Sequence, residues 1–265
     1  MLRLGWLTDI HLNFISRDQR MEFYGRVRST KLDAVLIGGD IGQADSVQRF
    51  LSELEDSLEA PIYFVLGNHD FYGGSIVAIR ERLAQQARRS RRLCWLSSAG
   101  VVKLTDSTAL VGHDGWADGR LGHSFSSEVL LSDYFLIQEL PGFDKPELFR
   151  RLNALGDEAA HYLRKVLSEA LESFSNVILL THVPPFRESC WYQGRTSDDE
   201  FLPHFACQAV GDVLLEMMEG RPHRNLTALC GHTHSPGFAE IRDNLRVYTG
   251  GADYGAPIIQ QIFEV

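Results

Sequence analysis

Residues 62–70, Ile-Tyr-Phe-Val-Leu-Gly-Asn-His-Asp, join a short apolar run directly to three polar side chains. Apolar runs of this length that end at a glycine predict a buried β-strand. Asn68, His69 and Asp70 follow the carboxyl end of that strand. Because ligands bind at the carboxyl ends of strands in open α/β sheets, this stretch predicts a site at a sheet edge.

Four other apolar runs end in the same way, and together they predict one shared site. Oxygen and imidazole ligands without thiolate suit Mn, Fe, Zn or Co better than Ca. We therefore expect transition-metal ions in a crevice formed by the five strand ends. The other four runs are residues 2–7 before Asp9 and His11, 34–37 before Asp40, 177–180 before His182, and 226–230 before His232 and His234.

The order of predicted elements indicates an α/β fold. Helices are predicted at residues 17–28, 46–58 and 76–88, between the first strands, and this β-α-β-α-β order implies parallel pairing. The short runs 93–96, 101–104 and 109–111 predict hairpin strands. Two further helices are predicted at 158–171 and 206–218, followed by strands at 238–241, 245–248 and 258–265. Two mixed sheets with outer helices fit this order.

Residues 117–156 are irregular in sequence and rich in Gly, Ser and Asp, and we interpret them as an insertion or cap over the site. The length of 265 residues fits a single domain covering residues 1–265. A second long polar stretch, residues 184–203, is also predicted to be a loop, and loops of this length are usually functional.

Composition restricts the classes of function. The net charge of −9 argues against general nucleic-acid binding, which needs a positive surface. The four cysteines have no C-x-x-C spacing, which argues against a disulfide framework and a zinc finger. No apolar stretch approaches the length of a membrane span, and the chain starts with a predicted strand. We expect a cytoplasmic protein without membrane association, and the sequence leaves its oligomeric state open.

Taken together, the polar blocks resemble those of the calcineurin-like metallophosphoesterase superfamily, and specifically its bacterial small phosphoesterases. All five blocks of that superfamily are present in order, from Asp9-x-His11 to Gly231-His232-Thr233-His234. The resemblance implies a four-layer α/β/β/α sandwich, made of two mixed sheets flanked by helices, with a two-metal site. The intermediate blocks are Gly39-Asp40, Gly67-Asn68-His69-Asp70 and Thr181-His182.

The resemblance also implies a role for each block residue. His69 would donate a proton to the leaving oxygen, Asp70 would orient His69 or tune its basicity, and Asn68 would help to stabilise the phosphate. The remaining block residues would bind metal: Asp9, His11 and His234 the first ion, Asp40 both ions, and Asn68, His182 and His232 the second.

The reaction implied is two-metal-dependent hydrolysis of a phosphate ester by a metal-bridging hydroxide, with ions drawn from Mn, Fe, Zn, Co or Ni. The substrate would be a small phosphodiester or phosphomonoester that resembles a nucleotide. The arginine that follows the second block in protein phosphatases is absent after Gly39-Asp40, which argues against phosphoprotein substrates. A metal-dependent nuclease and a non-catalytic protein-binding scaffold of the same fold are the alternatives.

Three further residues are candidates for substrate binding. His113 follows a predicted strand and either lines the cleft or belongs to a tight turn. Arg187 closely follows the Thr181-His182 block and either pairs with a phosphate or is solvated. Tyr254 follows Gly250-Gly251, a pair that suggests close backbone approach at the rim of the site.

Overall fold

Strands make up the centre of the computed structural model, which describes residues 1–265. The thirteen strands are β1 Arg3–Leu7, β2 Ala34–Gly38, β3 Ile62–Val65, β4 Leu93–Trp95, β5 Val102–Lys103, β6 Thr108–His113, β7 Asn176–Thr181, β8 Trp191–Tyr192, β9 Arg195–Thr196, β10 Asn225–Cys230, β11 Gly237–Arg242, β12 Leu245–Thr249 and β13 Gln261–Glu264.

The helices begin and end where sequence signals favour it. At Ser16 the hydroxyl accepts from the Gln19 N–H, while the Gln19 side chain accepts from the Ser16 N–H, which forms a capping box.

No helix combines the length and the apolar character that a membrane crossing needs. The eight helices are α1 Arg17–Ser29, α2 Val47–Ser57, α3 Ile76–Arg89, α4 Leu96–Ala99, α5 Asp133–Leu136, α6 Lys145–Ser173, α7 Leu202–Phe205 and α8 Gln208–Met218.

The structure contains two large mixed sheets, and the central strands of each sheet are parallel to one another. The first has the order β13-β1-β2-β3-β4, and the second has the order β11-β12-β10-β7-β6-β5. In the first sheet β1, β2, β3 and β4 are parallel, and in the second β12, β10, β7 and β6 are parallel. Parallel strands place all their carboxyl ends along one edge, so each sheet offers a row of strand ends for a site.

Buried side chains divide the molecule into four layers. A cluster that includes Leu4, Leu36, Leu110 and Leu229 comes from both sheets and fills the space between them. A larger cluster joins the first sheet to α1, α2 and α3, and another joins the second sheet to α6 and α8. The predicted α/β/β/α sandwich of two mixed sheets is therefore confirmed.

The runs 93–96, 101–104 and 109–111 were predicted to be hairpin strands, and this prediction was wrong for the first of them. Strand β4 pairs in parallel with β3 and extends the first sheet, because α3 provides a right-handed crossover between them. Only β5 and β6 form the antiparallel hairpin, at the edge of the second sheet. Three residues are too few for periodicity to separate these two pairings.

The helix predicted at 158–171 begins thirteen residues earlier than expected, since α6 spans Lys145–Ser173. Asp144 caps its first turn by accepting from the Glu147 N–H at 3.0 Å, and Leu148 and Leu152 are buried in the first core cluster. The irregular stretch therefore ends at residue 144 rather than 156. Gly156 hid the early turns in the sequence, because an interior glycine weakens a helix prediction.

Candidate metal centre

The five strand ends bring the predicted ligands together into two adjacent clusters. Backbone hydrogen bonds fix the loops that follow the strands: the Asp9 N–H donates to Gly39 O at 3.0 Å, and the Gly231 N–H donates to His182 O at 2.8 Å. The second of these bonds joins the loops that follow β7 and β10 of the second sheet. His232 N–H donates to Asp9 Oδ1 at 3.0 Å and so links the two sheets at the site.

The first cluster contains Asp9, His11, Asp40 and His234, whose ligand atoms all lie within 4.8 Å of one another. The Nε2 atoms of His11 and His234 lie 3.0 Å apart. His234 Nε2 lies 3.5 Å from Asp9 Oδ1, and His11 Nε2 lies 3.8 Å from Asp40 Oδ2. Imidazole nitrogens and carboxylate oxygens facing one point are the donor set of a transition-metal site.

The second cluster contains Asn68, His182 and His232. His182 Nε2 and His232 Nδ1 each lie 3.0 Å from the Asn68 Oδ1 atom. The opposite nitrogen of each ring donates to a backbone carbonyl, from His182 Nδ1 to Gly38 O at 2.8 Å and from His232 Nε2 to His204 O at 3.1 Å. These two bonds fix the tautomers and leave the cluster-facing nitrogens free to bind a metal.

Asp40 faces both clusters. Its Oδ1 atom lies 3.5 Å from His182 Nε2 in the second cluster, while Oδ2 faces His11 in the first. The backbone N–H of His69 donates to the same Oδ1 at 2.9 Å and holds the carboxylate in this orientation. Both carboxylate oxygens are therefore placed for a bridging role.

The backbone at the site is unusual. Seven non-glycine residues of the chain have a positive φ, and five of them are predicted ligands: Asp9, His11, Asp40, His232 and His234. Left-handed backbone costs free energy for residues with a Cβ atom and is concentrated at functional sites. The fold therefore accepts local strain where the ligand side chains have to point inward.

Two glycines of the motifs are required for space. A Cβ atom at Gly67 would overlap the Asp40 carboxylate, and a Cβ atom at Gly231 would overlap the Asp9 carboxylate. The glycines that precede Asn68 and His232 in the sequence thus let backbone pass directly behind the ligand oxygens.

The electrostatics of the centre favour a bound cation. Burial, together with the nearby charges of Asp9 and Asp70, raises the pKa of Asp40 well above its usual value. Burial opposes ionisation of Asp9 as well, but the hydrogen bond from His234 and the neighbouring imidazoles hold its pKa below the usual value. Burial also lowers the pKa of His11 to about 3 and that of His232 to about 4, which keeps both rings in the neutral ligating form.

His69 and Tyr72 form the floor of the cleft above the clusters. The two rings are stacked with centroids 4.2 Å apart, and the His69 side chain is 18% exposed. His69 Nε2 lies 4.0 Å from Asp40 Oδ2, while Nδ1 is buried and has no partner. Burial lowers the pKa of His69 to about 4. The ring therefore lies beside the clusters in the wall of the cleft.

Asp70 makes no hydrogen bond to the His69 ring, although one would be expected if it oriented that ring. Its Oδ1 atom accepts from the N–H groups of Ile41 at 2.9 Å and Gly42 at 2.8 Å, and Oδ2 accepts from Gly67 N–H at 2.9 Å. This fully buried carboxylate joins the loop after β2 to the loop after β3. The adjacency of Asp70 and His69 in sequence gave no information about the direction of either side chain.

Two residues that the sequence did not single out support Asn68. Asp133 Oδ1 accepts from Asn68 Nδ2 at 2.8 Å and from the Tyr72 hydroxyl at 2.6 Å. Asp133 is buried and comes from the irregular 117–144 stretch. Nothing in the sequence around Asp133 marks it as functional, because its stretch has no periodicity. Tyr72 could have been found, since it lies only two residues after the Gly67–Asp70 block.

The three candidate substrate residues lie in different places. His113 is buried, accepts from the Gly115 N–H at 3.1 Å and does not line the cleft. Arg187 is half-exposed and pairs with Asp199 at 2.6 Å, so it is also absent from the cleft wall. Tyr254 does line the cleft, with its ring centroid 4.7 Å from that of His11.

Comparisons with known proteins identify the family and the fold. The sequence profile of the family described as calcineurin-like phosphoesterase matches residues 2–236. No curated protein sequence gives a significant match. A phosphopantetheinyl hydrolase from Mycobacterium tuberculosis has a similar fold, with a TM-score of 0.63 and 15% identity over 94% of this chain and 89% of that chain.

Two other solved structures are similar to about the same degree. A dimetal phosphatase from Danio rerio gives a TM-score of 0.57 and 14% identity over 94% of this chain and 87% of that chain. A protein from Thermus thermophilus gives a TM-score of 0.57 and 14% identity over 94% of this chain and 89% of that chain. At these identities, the likeness establishes the fold alone.

The sandwich fold and the buried Asp–His cluster that could hold a metal ion fit a metal-dependent hydrolase. The chain belongs to the calcineurin-like phosphoesterase family, as the resemblance in the sequence predicted. Members of this family use a dinuclear metal centre, so the reaction class is metal-dependent hydrolysis of phosphate-ester bonds.

Proposed function

We propose that the chain hydrolyses a small phosphodiester, with a nucleotide-like phosphomonoester as the second candidate. The observation that supports a diester is the charge of the cleft, which is lined by twelve residues without a Lys or Arg among them. A diester carries one negative charge on its phosphate, whereas a monoester carries nearly two near neutral pH and gains more from fixed cations.

The residues present fit two metal ions. Asp9, His11, Asp40 and His234 would hold the first, and Asn68, His182 and His232 would hold the second, with Asp40 shared. When bound, the two ions would polarise the phosphate and supply hydroxide near neutral pH. The ligand set accommodates Mn, Fe, Zn, Co or Ni, and availability decides among them.

His69 is proposed to protonate the leaving oxygen. Its partly exposed ring in the cleft wall and the place of its Nε2 beside Asp40 support this role. A negatively charged phosphate in the cleft would favour the protonated ring and so oppose the effect of burial on its pKa. Asn68 is assigned to metal binding alone, because its amide nitrogen is engaged by Asp133 and Tyr72.

Residues 117–144, the part of the predicted 117–156 insertion that precedes α6, are proposed to act as the cap of a single 1–265 domain. Leu131, Ser132 and Asp133 from this segment line the cleft. We also propose a cytoplasmic location, which the four unpaired cysteines support, since cysteines in oxidising compartments usually form disulfides.

The test is a hydrolysis screen that crosses metals with substrates. The protein is freed of metal, reloaded with Mn, Fe, Co, Ni or Zn, and given a chromogenic monoester, a chromogenic diester and cyclic nucleotides. We expect metal-dependent turnover that is highest for a diester. Asp40→Asn should abolish it, while the exposed Asp45→Asn on the same loop serves as the matched control. Near-normal activity of metal-saturated Asp40→Asn would overturn the assignment.

The alternatives receive less support from the structure. A nuclease needs a basic groove at the site, whereas the one arginine-rich groove, formed by Arg82, Arg89, Arg91 and Arg92, lies at the amino-terminal end of β4. A non-catalytic scaffold would have no reason to retain all seven ligands and His69. Full metal occupancy without turnover of any ester in the screen would favour the scaffold.

A further inference from the structure

Aromatic rings surround the cleft, which has a volume of about 290 Å³. Tyr72, Tyr192, Phe205 and Tyr254 all line it. The one carboxylate in the wall that does not belong to the predicted ligand set is Asp133. A part of the substrate that lies beyond the reacting phosphate would therefore meet apolar ring surface rather than a guanidinium or an ammonium group.

Tyr254 is the most exposed of these rings and lies against the first metal cluster. It is 52% exposed, and its ring centroid lies 4.7 Å from that of His11 and 5.1 Å from that of His234. Phe14, which is 51% exposed, packs against it with ring centroids 4.5 Å apart. Two large rings left half in water at the rim of an active site form an apolar surface that a ligand can cover.

The other wall is built in a similar way beside the second cluster. Phe205 packs on His232 with ring centroids 5.5 Å apart, and Tyr192 packs on Phe205 at 5.1 Å. The short β8–β9 hairpin places Tyr192 there, and the bond from Gln193 N–H to Ser235 Oγ at 2.9 Å fixes that hairpin beside the His232–His234 loop. Both metal clusters thus have an aromatic wall next to them.

We propose that this cleft selects esters with a single phosphate and an uncharged aromatic group, and that Tyr254, supported by Phe14, is the residue that recognises the aromatic group. The inference rests on the proposed function and narrows its substrate class. Planar rings of many kinds stack on aromatic side chains. Such a surface therefore favours flat, uncharged groups over charged ones, for which it has no partner.

The experiment measures binding by calorimetry to the metal-loaded protein, so that it does not depend on turnover. The probes are phenyl methylphosphonate and ethyl methylphosphonate, which carry the same single charge, and 4-carboxyphenyl methylphosphonate, which adds a second charge. We expect the phenyl compound to bind about tenfold more tightly than the ethyl compound, equivalent to about 1.4 kcal/mol. The carboxyphenyl compound should bind more weakly than the phenyl compound, because no Lys or Arg side chain lines the cleft to pair with the added carboxylate.

Variants assign the preference to particular rings. Tyr254→Leu keeps an apolar side chain but removes the ring, and should reduce the phenyl-to-ethyl preference to about twofold or less. Tyr192→Leu tests the opposite wall in the same way. Phe238→Leu is the matched control, because Phe238 is 45% exposed, packs on Tyr248 and lies outside the cleft.

Equal binding of the phenyl and ethyl compounds would overturn the inference. So would a preference that survives Tyr254→Leu, even if Tyr192→Leu abolishes it, or tighter binding of the carboxyphenyl compound than of the phenyl compound. If the preference is present but no ester is hydrolysed in the screen, the proposed function fails while the recognition of an aromatic group stands. If esters are hydrolysed but the phenyl compound is not preferred, the proposed function stands while the recognition of an aromatic group fails.

Discussion

The side-chain amide of Asn68 donates a hydrogen bond to Asp133 Oδ1 at 2.8 Å, and this bond turns the amide oxygen toward His182 and His232. An amide can present either its oxygen or its nitrogen to a metal, and only the oxygen is a ligand. Asp133 therefore selects the useful orientation of a proposed ligand that lies 65 positions away in sequence. The segment proposed as the cap thus also contacts the proposed metal centre.

Asp133→Ala should weaken the second metal site. Loss of a residue that orients a metal ligand typically costs about 10–100-fold in metal affinity or activity. Metal affinity, measured by titration of the metal-free protein, should fall by that amount, and kcat/KM at fixed metal should fall with it. Asp133→Asn keeps an oxygen that can accept from Asn68 and should recover most of the loss.

Glu128→Ala is the control for the Asp133 variants, because Glu128 is an exposed acid on the same segment. Metal affinity unchanged in Asp133→Ala would mean that the amide is oriented without Asp133. An equal loss in Glu128→Ala would point instead to a general effect of charge.

His69→Asn should separate proton transfer from metal binding. Because His69 is placed outside both ligand clusters, the metal content should stay at the wild-type level. General acid catalysis contributes about 10²–10⁴-fold, so kcat should fall by that factor for a diester with an alkyl leaving group. The loss should be much smaller for a p-nitrophenolate leaving group, which departs without a proton.

The measurement for His69→Asn compares the two leaving groups at matched metal occupancy. His123→Asn is the control, since the His123 side chain is 63% exposed. A loss of kcat that is the same for both leaving groups would contradict the role of His69 as an acid.

Asp70→Asn should destabilise the fold as well as reduce activity. The carboxylate accepts from three backbone N–H groups, whereas an amide would turn its own donor toward the N–H of Gly67. Leaving a buried donor without an acceptor costs about 1–3 kcal/mol. Denaturant unfolding of the metal-free protein should show this loss, and Asp45→Asn should not. Unchanged stability with lost activity would restore the predicted role of Asp70 beside His69.

The gathering of the proposed ligands was predictable because each one lies within a few residues of the strand that positions it. Asp9, Asp40 and His182 follow apolar runs, and the glycine before Asp40 is a further local signal. Parallel pairing then brings separate strand ends to the same edge of the sheet, as general rules of sheet topology require. The family, the fold and the gathering of the ligands therefore followed from the sequence.

What the sequence could not provide were contacts between distant segments. Asp133 meets Asn68 only after the chain has crossed between the two sheets, and nothing in the local sequence marks it. The direction of Asp70 and the burial of His113 depend on backbone donors from other loops. The same limit applies to β4, whose partner depends on how α3 packs rather than on its own three residues.

Glu53 provides a stability prediction that is independent of the metal site. Arg20 donates to it twice, from Nε to Oε2 at 2.7 Å and from Nη2 to Oε1 at 3.1 Å, and thereby joins α1 to α2. The hydrogen bond from Arg20 is the main cause that lowers the pKa of Glu53 below its usual 4.5, against the opposing effect of burial. A depressed pKa means that the pair stabilises the fold above the unfolded pKa and stops doing so as the pH falls through the folded pKa.

Glu53→Gln should therefore lower the free energy of unfolding by about 1 kcal/mol at pH 7, a modest value because solvent screens the pair. The difference from wild type should shrink to nothing as the pH falls below the folded pKa, whereas the exposed Glu59→Gln should match wild type throughout. Urea unfolding at about pH 7, 5 and 3.5, a range chosen to span the usual glutamate pKa, measures this. A difference that stays constant with pH would show that the pair acts through packing rather than charge.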